Sequence, residues 1–257
     1  MTGESREDKL LLARLTDKQQ QCEQRQYPVC SDFLDARQQA LAAAHFGKNC
    51  ACGFWGGFAE AERRILVFLP DYLDFAAWQQ QEAAAALAVL RAVPTAKPNG
   101  LTHRDYLGAL LNLGINRGKV GDLLVTPEYA DIVILPELAD YLLLNFERAG
   151  RCTLQTELLP AAVLQNVRPH TESLRLNVSS LRLDTVAAAA FGVSRSKAAA
   201  AVAAGLLAVD GLVVLKPDWL LAGGVKISWQ GRGKVCLAEI GSKTRKERIW
   251  LQIEKYV

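Results

Sequence analysis

The sequence lacks an apolar run long enough to cross a membrane. None of its apolar stretches reaches the ~18 residues that a transmembrane helix needs. The first residues, MTGESREDKLLLARL, are charged and have no signal-peptide core. We therefore expect a cytoplasmic protein with no membrane partner. Its 257 residues are enough for one large domain or for two to three small ones.

Metal-binding side chains are also few and scattered. The chain has six cysteines, of which only Cys50 and Cys52 form a close pair, whereas a structural zinc site needs two such pairs or added histidines. The three histidines, His45, His103 and His170, are far apart in the sequence. We predict free or buried thiols in a reducing compartment, with no metal site and no cofactor.

The charge is distributed unevenly. The net charge is only +3, but the residues from 174 to the end hold 13 Lys and Arg against 6 Asp and Glu, a charge of +7. The preceding residues hold 17 against 21, a charge of −4. A basic C-terminal third on an acidic body is typical of a nucleic-acid-binding module, although a basic surface can also serve solubility alone.

Three small modules, all α+β, follow from the pattern of turns and apolar periodicity. Residues 1–78 form an N-terminal α+β segment, in which Ser31 or Asp32 is predicted to cap the second helix. Residues 79–170 follow the order β-α-β-β-α-β, the ferredoxin-like arrangement that RNA-recognition domains share. Two of its strands, VGDLLV and CTLQTELL, lack the aromatic residues on which such domains stack bases. Residues 174–257 form two short helices that must pack on a small sheet.

Two cations occupy an unusual place in the C-terminal module. Ser194 is predicted to cap a helix whose first turn holds Arg195, Ser196 and Lys197. A helix N-terminus carries partial positive charge and favours anions. A nucleic-acid phosphate would gain the dipole, the backbone amides and both cations, and Arg182 could join them. Ordinary solvated surface charge is the alternative.

Other polar groups are weaker candidates. GSKTRKER, between two predicted strands, carries Lys243, Arg245, Lys246 and Arg248, which can reach a second RNA backbone or simply be solvated. Arg117 and Lys119 are a further possible contact. His103 and Asp105 lie two residues apart and do not share a helix face, so we predict capping and packing for them, and no catalytic pair.

Several short strings of the C-terminal module recur in order: LRLD from Leu181, SRSKA from Ser194, GLLAVDG from Gly205, GVKI from Gly224 and then Arg232-Gly233. They resemble the S4-type RNA-binding domain, the alpha-L motif. The resemblance implies docking on structured RNA through phosphates, with Arg182, Arg195 and Lys197 as contacts. Arg232 and Lys234, in the QGRGK turn, complete the predicted set. The family usually has Gly-Asp where this chain has Gly223-Gly224, which puts the local turn in doubt.

The rest of the chain is similar to the YlmH-like bacterial proteins, known in phototrophs as photosystem II S4-domain proteins. The similarity is carried by LTHRDYLGALLNLGINRGKVGDLLV, GGFAEAERR and EIGSKTRKERIWLQIEKYV. It implies a non-enzymatic factor that binds ribosomal RNA, with tRNA as a further partner, on large ribosomal subunits that carry a stalled peptidyl-tRNA. It implies no small-molecule substrate.

An enzyme is the competing hypothesis. RNA pseudouridine synthases carry a catalytic Asp in an Arg-Leu-Asp string, which would be Asp184 here. The string is followed by TVAAAAFG and not by the small polar and glycine residues of that active site. The chain after Asp184 is also too short for that catalytic domain. We find no glycine-rich methyltransferase loop and no ATP-site signature of a tRNA synthetase.

Overall fold

The structure, a computed structural model, describes residues 5–47, 50–95, 100–166, 171–243 and 247–256. The chain divides into two compact units, residues 1–167 and 168–257. The mixed α+β class predicted from the sequence is confirmed.

The first unit begins with a three-stranded sheet and its helices. They are α1 (Arg6–Arg25), β1 (Val29–Leu34), α2 (Ala36–Phe46), β2 (Cys52–Trp55), β3 (Arg64–Phe68), α3 (Phe75–Gln81) and α4 (Ala83–Ala86). The antiparallel sheet has the order β1-β3-β2. The central strand β3 is buried on both faces, because Leu66 and Phe68 pack with α1 and α2 while Ile65 and Val67 pack with Trp78 of α3.

The cap of α2 is not where the sequence pattern put it. Ser31 and Asp32 belong to β1, and Asp35 caps α2 by accepting from the Gln38 backbone N–H at 2.8 Å. The Ser31 hydroxyl instead accepts from the Leu66 N–H in the neighbouring strand. The capping prediction was wrong because several polar residues precede this helix, and the first two of them, Ser31 and Asp32, are part of β1.

The remainder of the unit contains a second sheet. Its elements are β4 (Ala88–Pro94), α5 (His103–Asn112), β5 (Val120–Val125), β6 (Ala130–Ile134), α6 (Ala139–Asn145), β7 (Arg148–Ala149) and β8 (Cys152–Pro160). The antiparallel strand order β5-β6-β4-β8-β7 matches the ferredoxin-like arrangement predicted from the sequence. α5 and α6 cover one face, through Tyr106, Leu110 and Leu142. Val89 and Val133, on the opposite face, pack with Ile65 and Trp78.

The position of the predicted boundary between residues 78 and 79 falls inside α3. Described residues on both sides of it share one apolar cluster. The division into modules 1–78, 79–170 and 174–257 stays a prediction.

The second unit is a six-stranded antiparallel sheet with two helices on one face. It consists of β9 (Thr171–Val178), α7 (Leu183–Ala190), α8 (Arg195–Ala203), β10 (Leu207–Val209), β11 (Leu212–Val213), β12 (Lys226–Trp229), β13 (Gly233–Lys243) and β14 (Ile249–Tyr256). The strand order is β11-β10-β12-β13-β14-β9. The predicted Asp210-Gly211 hairpin is present, with both residues at positive φ.

Burial of apolar side chains explains why the short helices α7 and α8 are stable in this unit. Ala198, Ala201 and Val202 share one face of α8 and are buried with Leu183 and Val186 of α7. Beneath them lie Ile227, Leu237, Leu251 and Ile253 of the sheet, each at most 1% exposed. A fully buried aliphatic side chain contributes about 1.5–3 kcal/mol, so this shared core stabilises helices that are too short to persist alone.

Candidate nucleic-acid interface

The start of α7 and the start of α8 meet at one buried carboxylate. Asp184, 3% exposed, lies in the first turn of α7. Its oxygens accept from Nε and Nη2 of Arg182 at 3.2 and 3.1 Å, and from Nε of Arg195 at 3.1 Å. Thr185 Oγ1 donates to the same carboxylate at 3.0 Å. The arginines that the sequence placed in one patch are therefore joined through Asp184.

The electrostatics of this cluster favour a fixed, ionised carboxylate. Burial alone would raise the pKa of Asp184, but the hydrogen bonds from Arg182, Arg195 and Thr185 outweigh burial and hold the pKa below its usual value. Both guanidinium groups keep contact with solvent, with 36% of the Arg182 side chain and 55% of the Arg195 side chain exposed. Asp184 thus orients two arginines that still face water.

The first turn of α8 is built as predicted from its cap. Ser194 accepts from the Lys197 backbone N–H at 3.3 Å, which confirms it as the N-cap. Ser194, Ser196 and Lys197 are exposed beside Arg195. Since Ser194 accepts from the Lys197 amide, that amide is already paired within the helix cap.

The start of α7 differs from this arrangement. Its backbone N–H groups at Leu183 and Asp184 donate to the carbonyls of Trp219 and Pro217, at 2.8 and 3.0 Å. Arg182 and Leu220 form an isolated β-bridge on the same segment. The segment from residue 217 to 220 therefore fixes the backbone that carries Arg182, a contact that no local sequence signal indicates.

The other predicted contacts lie elsewhere in the second unit. Arg232 stacks over the Trp229 ring, with 5.3 Å from its Cζ to the ring centroid. It lines a cleft beside the end of α7 together with Lys255. Lys234 Nζ lies 5.6 Å from the centroid of the Tyr256 ring.

Gly224, in the Gly-Gly pair that departs from the family pattern, has φ +85° and donates its N–H to the Leu237 carbonyl at 2.7 Å. The side chain of Lys243 and residues Arg245 and Lys246 lie outside the described residues.

The candidates of the first unit are engaged in internal contacts. Lys119 pairs with Asp32 at 2.9 Å and Glu137 at 2.6 Å. Arg117 donates to the carbonyls of Val120 and Gly121, and burial with repulsion from Arg63 lowers its pKa to about 10. These two cations hold the turn before β5.

The predicted capping role is confirmed for Asp105, which accepts from the Thr102 backbone N–H at 2.8 Å at the start of α5. The packing predicted for His103 is not found, because this side chain is exposed. Desolvation by the surrounding chain, with repulsion from Arg117, lowers the pKa of His103. Within the described ranges the six cysteines are free thiols, and no group of three or more His, Cys, Asp and Glu is placed to bind a metal ion. None of the helices described in this structure is long and apolar enough to cross a membrane.

Two family models match the chain. The model described as "Putative RNA-binding domain in YlmH" matches residues 86–162, and the S4 domain matches residues 181–227. The resemblances drawn from the sequence motifs are thereby confirmed. The S4 match includes Arg182 and the whole first turn of α8, and it ends before Arg232.

A curated relative and a solved structure are similar to this chain. "Ribosome-associated protein quality control protein P2" of Bacillus subtilis (strain 168) is 30% identical over 234 residues, which cover 90% of this chain and 89% of that protein. The solved structure of "Cell division protein ylmH from Streptococcus pneumoniae" is 24% identical, with a TM-score of 0.49, and the match covers 65% of this chain and 99% of that chain.

Proposed function

The chain belongs to the YlmH family, and on that premise we propose that it is an RNA-binding protein of the cytoplasm that acts in ribosome-associated quality control without chemistry of its own. Its target is structured ribosomal RNA on large subunits that carry a stalled peptidyl-tRNA, with tRNA as a second contact. Two RNA-binding domain matches and the name of the Bacillus relative support this.

One observation carries the proposal. Asp184 holds Arg182 and Arg195 side by side at the surface, next to the exposed Lys197. Arginine binds phosphate oxygens with more than one N–H group, and a guanidinium already held by a carboxylate loses less conformational freedom on binding. The cluster is suited to the backbone of a folded RNA, which contributes most of the affinity in such complexes.

Charge reversal tests the docking surface. Arg195→Glu combined with Lys197→Glu should abolish co-sedimentation with large ribosomal subunits at moderate salt. It should also reduce the slope of log affinity against log salt by roughly one to two, since each lost phosphate contact removes one counterion release. The matched control is Arg14→Glu with Lys18→Glu, an equal charge change at two exposed positions of α1. Unchanged co-sedimentation of the first double variant would refute docking through α8.

The pseudouridine synthase alternative is disfavoured by the surroundings of Asp184. A carboxylate that attacks a base needs an accessible oxygen, whereas only 4% of this side chain is exposed and its oxygens accept from three neighbours. Mapping of pseudouridine in ribosomal RNA from cells with and without the gene decides the matter. A modification that disappears with the gene would favour the enzyme.

A further inference from the structure

The C-terminal sheet has a second face, opposite α7 and α8, that carries an exposed aromatic side chain. Along β14, Leu251 and Ile253 are buried in the core beneath the helices. Trp250 and Gln252 alternate with them and therefore point to the other face. Trp250 is 42% exposed there. Because the indole is this exposed and points away from the core, it does not contribute to core packing.

A cleft lies beside this indole because the neighbouring strand has a glycine there. β13 is irregular between Leu237 and Glu239 and again between Ile240 and Lys243. Gly241 lies within the second irregular stretch, and a Cβ on it would be only 3.3 Å from the Cβ of Trp250. The missing side chain leaves a cleft of about 360 Å³ next to Trp250. That volume is at the lower end of small-ligand pockets and fits one nucleoside-sized group.

The other walls of the cleft are polar. Arg175, Gln252 and Glu239 are paired across β9, β14 and β13 in one row. Arg175 Nε donates to Gln252 Oε1 at 3.4 Å, and Gln252 Nε2 donates to the Ser173 hydroxyl. Ser242 also lines the cleft. A guanidinium, an amide and a carboxylate thus surround the indole, a set able to meet the donors and acceptors of a base edge.

A second guanidinium lies at the same edge of the sheet. Arg248 Nη2 donates to the Asn177 carbonyl at 2.8 Å, and Asn177 is the residue opposite Trp250 in β9. Arg175 therefore lines the cleft beside the indole, Arg248 is held at the residue that pairs with Trp250, and Glu239 is the acidic group of the cleft. A protein-binding surface would have an apolar centre, whereas a single indole among charged and amide groups suits a ligand with a flat π-face and a phosphate.

We infer that this cleft binds one unpaired nucleobase of a single-stranded RNA segment. The base stacks on Trp250, the row of Gln252 and Glu239 meets its edge, and Arg175 reaches an adjacent phosphate. This inference rests on the proposed function, in that it assumes an RNA ligand. The cleft lies outside the S4 match, and all of its walls come from β9, β13 and β14.

The test compares oligonucleotides with and without bases, using the full chain. The probes are a fluorescently labelled single-stranded cytidine RNA of about seven nucleotides and an abasic oligomer with the same phosphates. Wild type should bind the base-bearing probe at least about fivefold more tightly. Trp250→Ala should weaken that binding by about 5- to 150-fold, the range for one stacked base, and should leave the abasic probe unaffected. Trp250→Phe should recover most of the loss.

Two further variants keep the result interpretable. Gly241→Val fills the cleft while retaining the indole, and it should lower base preference as Trp250→Ala does. Binding of the cytidine probe should quench part of the tryptophan fluorescence in wild type and in Trp219→Phe, which alters another exposed indole. The quench should be absent in Trp250→Phe. Equal affinity of wild type for the two probes, or a quench that persists in Trp250→Phe, overturns the inference.

Failure of this inference can be told from failure of the proposed function. If the Arg195 and Lys197 double variant still binds large subunits but base preference depends on Trp250, the α8 docking surface is wrong and the cleft stands. If Trp250→Ala loses subunit binding while wild type binds both probes equally, Trp250 contacts protein and the base-binding inference is wrong.

Discussion

Replacing Asp184 by Asn keeps the shape of the side chain and removes the charge that holds Arg182 and Arg195. In the folded protein the carboxylate accepts two hydrogen bonds from Arg182, one from Arg195 and one from Thr185. Asn offers one acceptor oxygen and no charge. We expect the starts of α7 and α8 to loosen together, because both are attached to this single group.

The size of the effect follows from the exposure of the partners. A hydrogen bond to a charged group contributes about 1.5–3 kcal/mol when buried. The two guanidinium groups keep 36% and 55% of their side-chain exposure and can turn to water when the carboxylate is gone. Solvent screening therefore reduces the net loss to about 1–2 kcal/mol. That loss corresponds to a roughly 5- to 30-fold increase in the population of the opened state.

Hydrogen exchange read by mass spectrometry on peptides from α7 and α8 measures this opening in the full chain. The control is Asp218→Asn, the same change at an exposed carboxylate whose attraction also acts on Arg182, where we expect less than about 0.5 kcal/mol. Exchange at pH 7 that is equally slow in wild type and Asp184→Asn would refute the anchoring role.

The pH dependence gives a second readout with a defined sign. The folded-state pKa of Asp184 lies below its ordinary 3.8, so its contribution is fully present above the unfolded pKa and is lost as pH falls through the folded one. Asn does not titrate. The difference in urea unfolding between wild type and Asp184→Asn should be full at pH 7 and should narrow below about pH 4. A difference that stays constant into acid would mean that the charge is not what stabilises the cluster.

One substitution and one labelling experiment test the packing of the first unit. In Gly121→Ala the new Cβ would lie 2.7 Å from Phe33 Cε1 and 3.1 Å from Val133 Cβ. We therefore expect overpacking to lower the free energy of unfolding, measured in urea, by about 1–3 kcal/mol. An unchanged urea midpoint would mean that the two sheets can move apart at no cost. Burial raises the pKa of the Cys30 thiol to about 11 and that of Cys50 to about 12. Because the thiolate is the reactive form, both partly buried thiols should resist iodoacetamide at pH 8 until urea unfolds the chain, which peptide mapping can check; rapid labelling of the folded protein would contradict the raised pKa values.

Local signals predicted the second unit well where a few adjacent residues decide the backbone. Ser194 caps α8 because its hydroxyl reaches an amide three residues on, and Asp210-Gly211 turns because both accept positive φ. The ferredoxin-like order of the first unit was likewise predictable from apolar periodicity and turns. The cap and the turn depend on contacts over a short stretch of chain, whereas the strand order joins residues as distant as Ala88 and Pro160 and follows from the sequence of elements along the chain.

Long-range pairing was not predictable in the same way. β9 was missed, and it pairs with β14, so that Leu176 lies opposite Leu251. The alternation of Leu174, Leu176 and Val178 with polar residues was a usable signal for a half-buried strand. The role of Asp184 was also missed, because the acceptor of Arg195 lies in the preceding helix and only the packing of α7 on α8 brings them within 3.1 Å.

Each of the two larger sheets has one face opposite its pair of helices, α5 and α6 in the first unit and α7 and α8 in the second, and these two faces differ in how far other residues cover them. This difference bears on where RNA can bind. In the first unit that face is partly covered, since Val89, Val133 and Leu135 are buried with Ile65 and Trp78. Farther along the same strands lies a charge pair, in which Arg91 donates twice to the buried Asp131 and also stacks over Tyr129 at 4.1 Å. A base that stacked there would have to displace the guanidinium from both partners. In the C-terminal sheet the corresponding face leaves Trp250 exposed beside an open cleft. If the C-terminal unit stacks a base as proposed, its exposed indole is the more accessible of the two surfaces, because no ion pair among the described residues has to be broken to reach it.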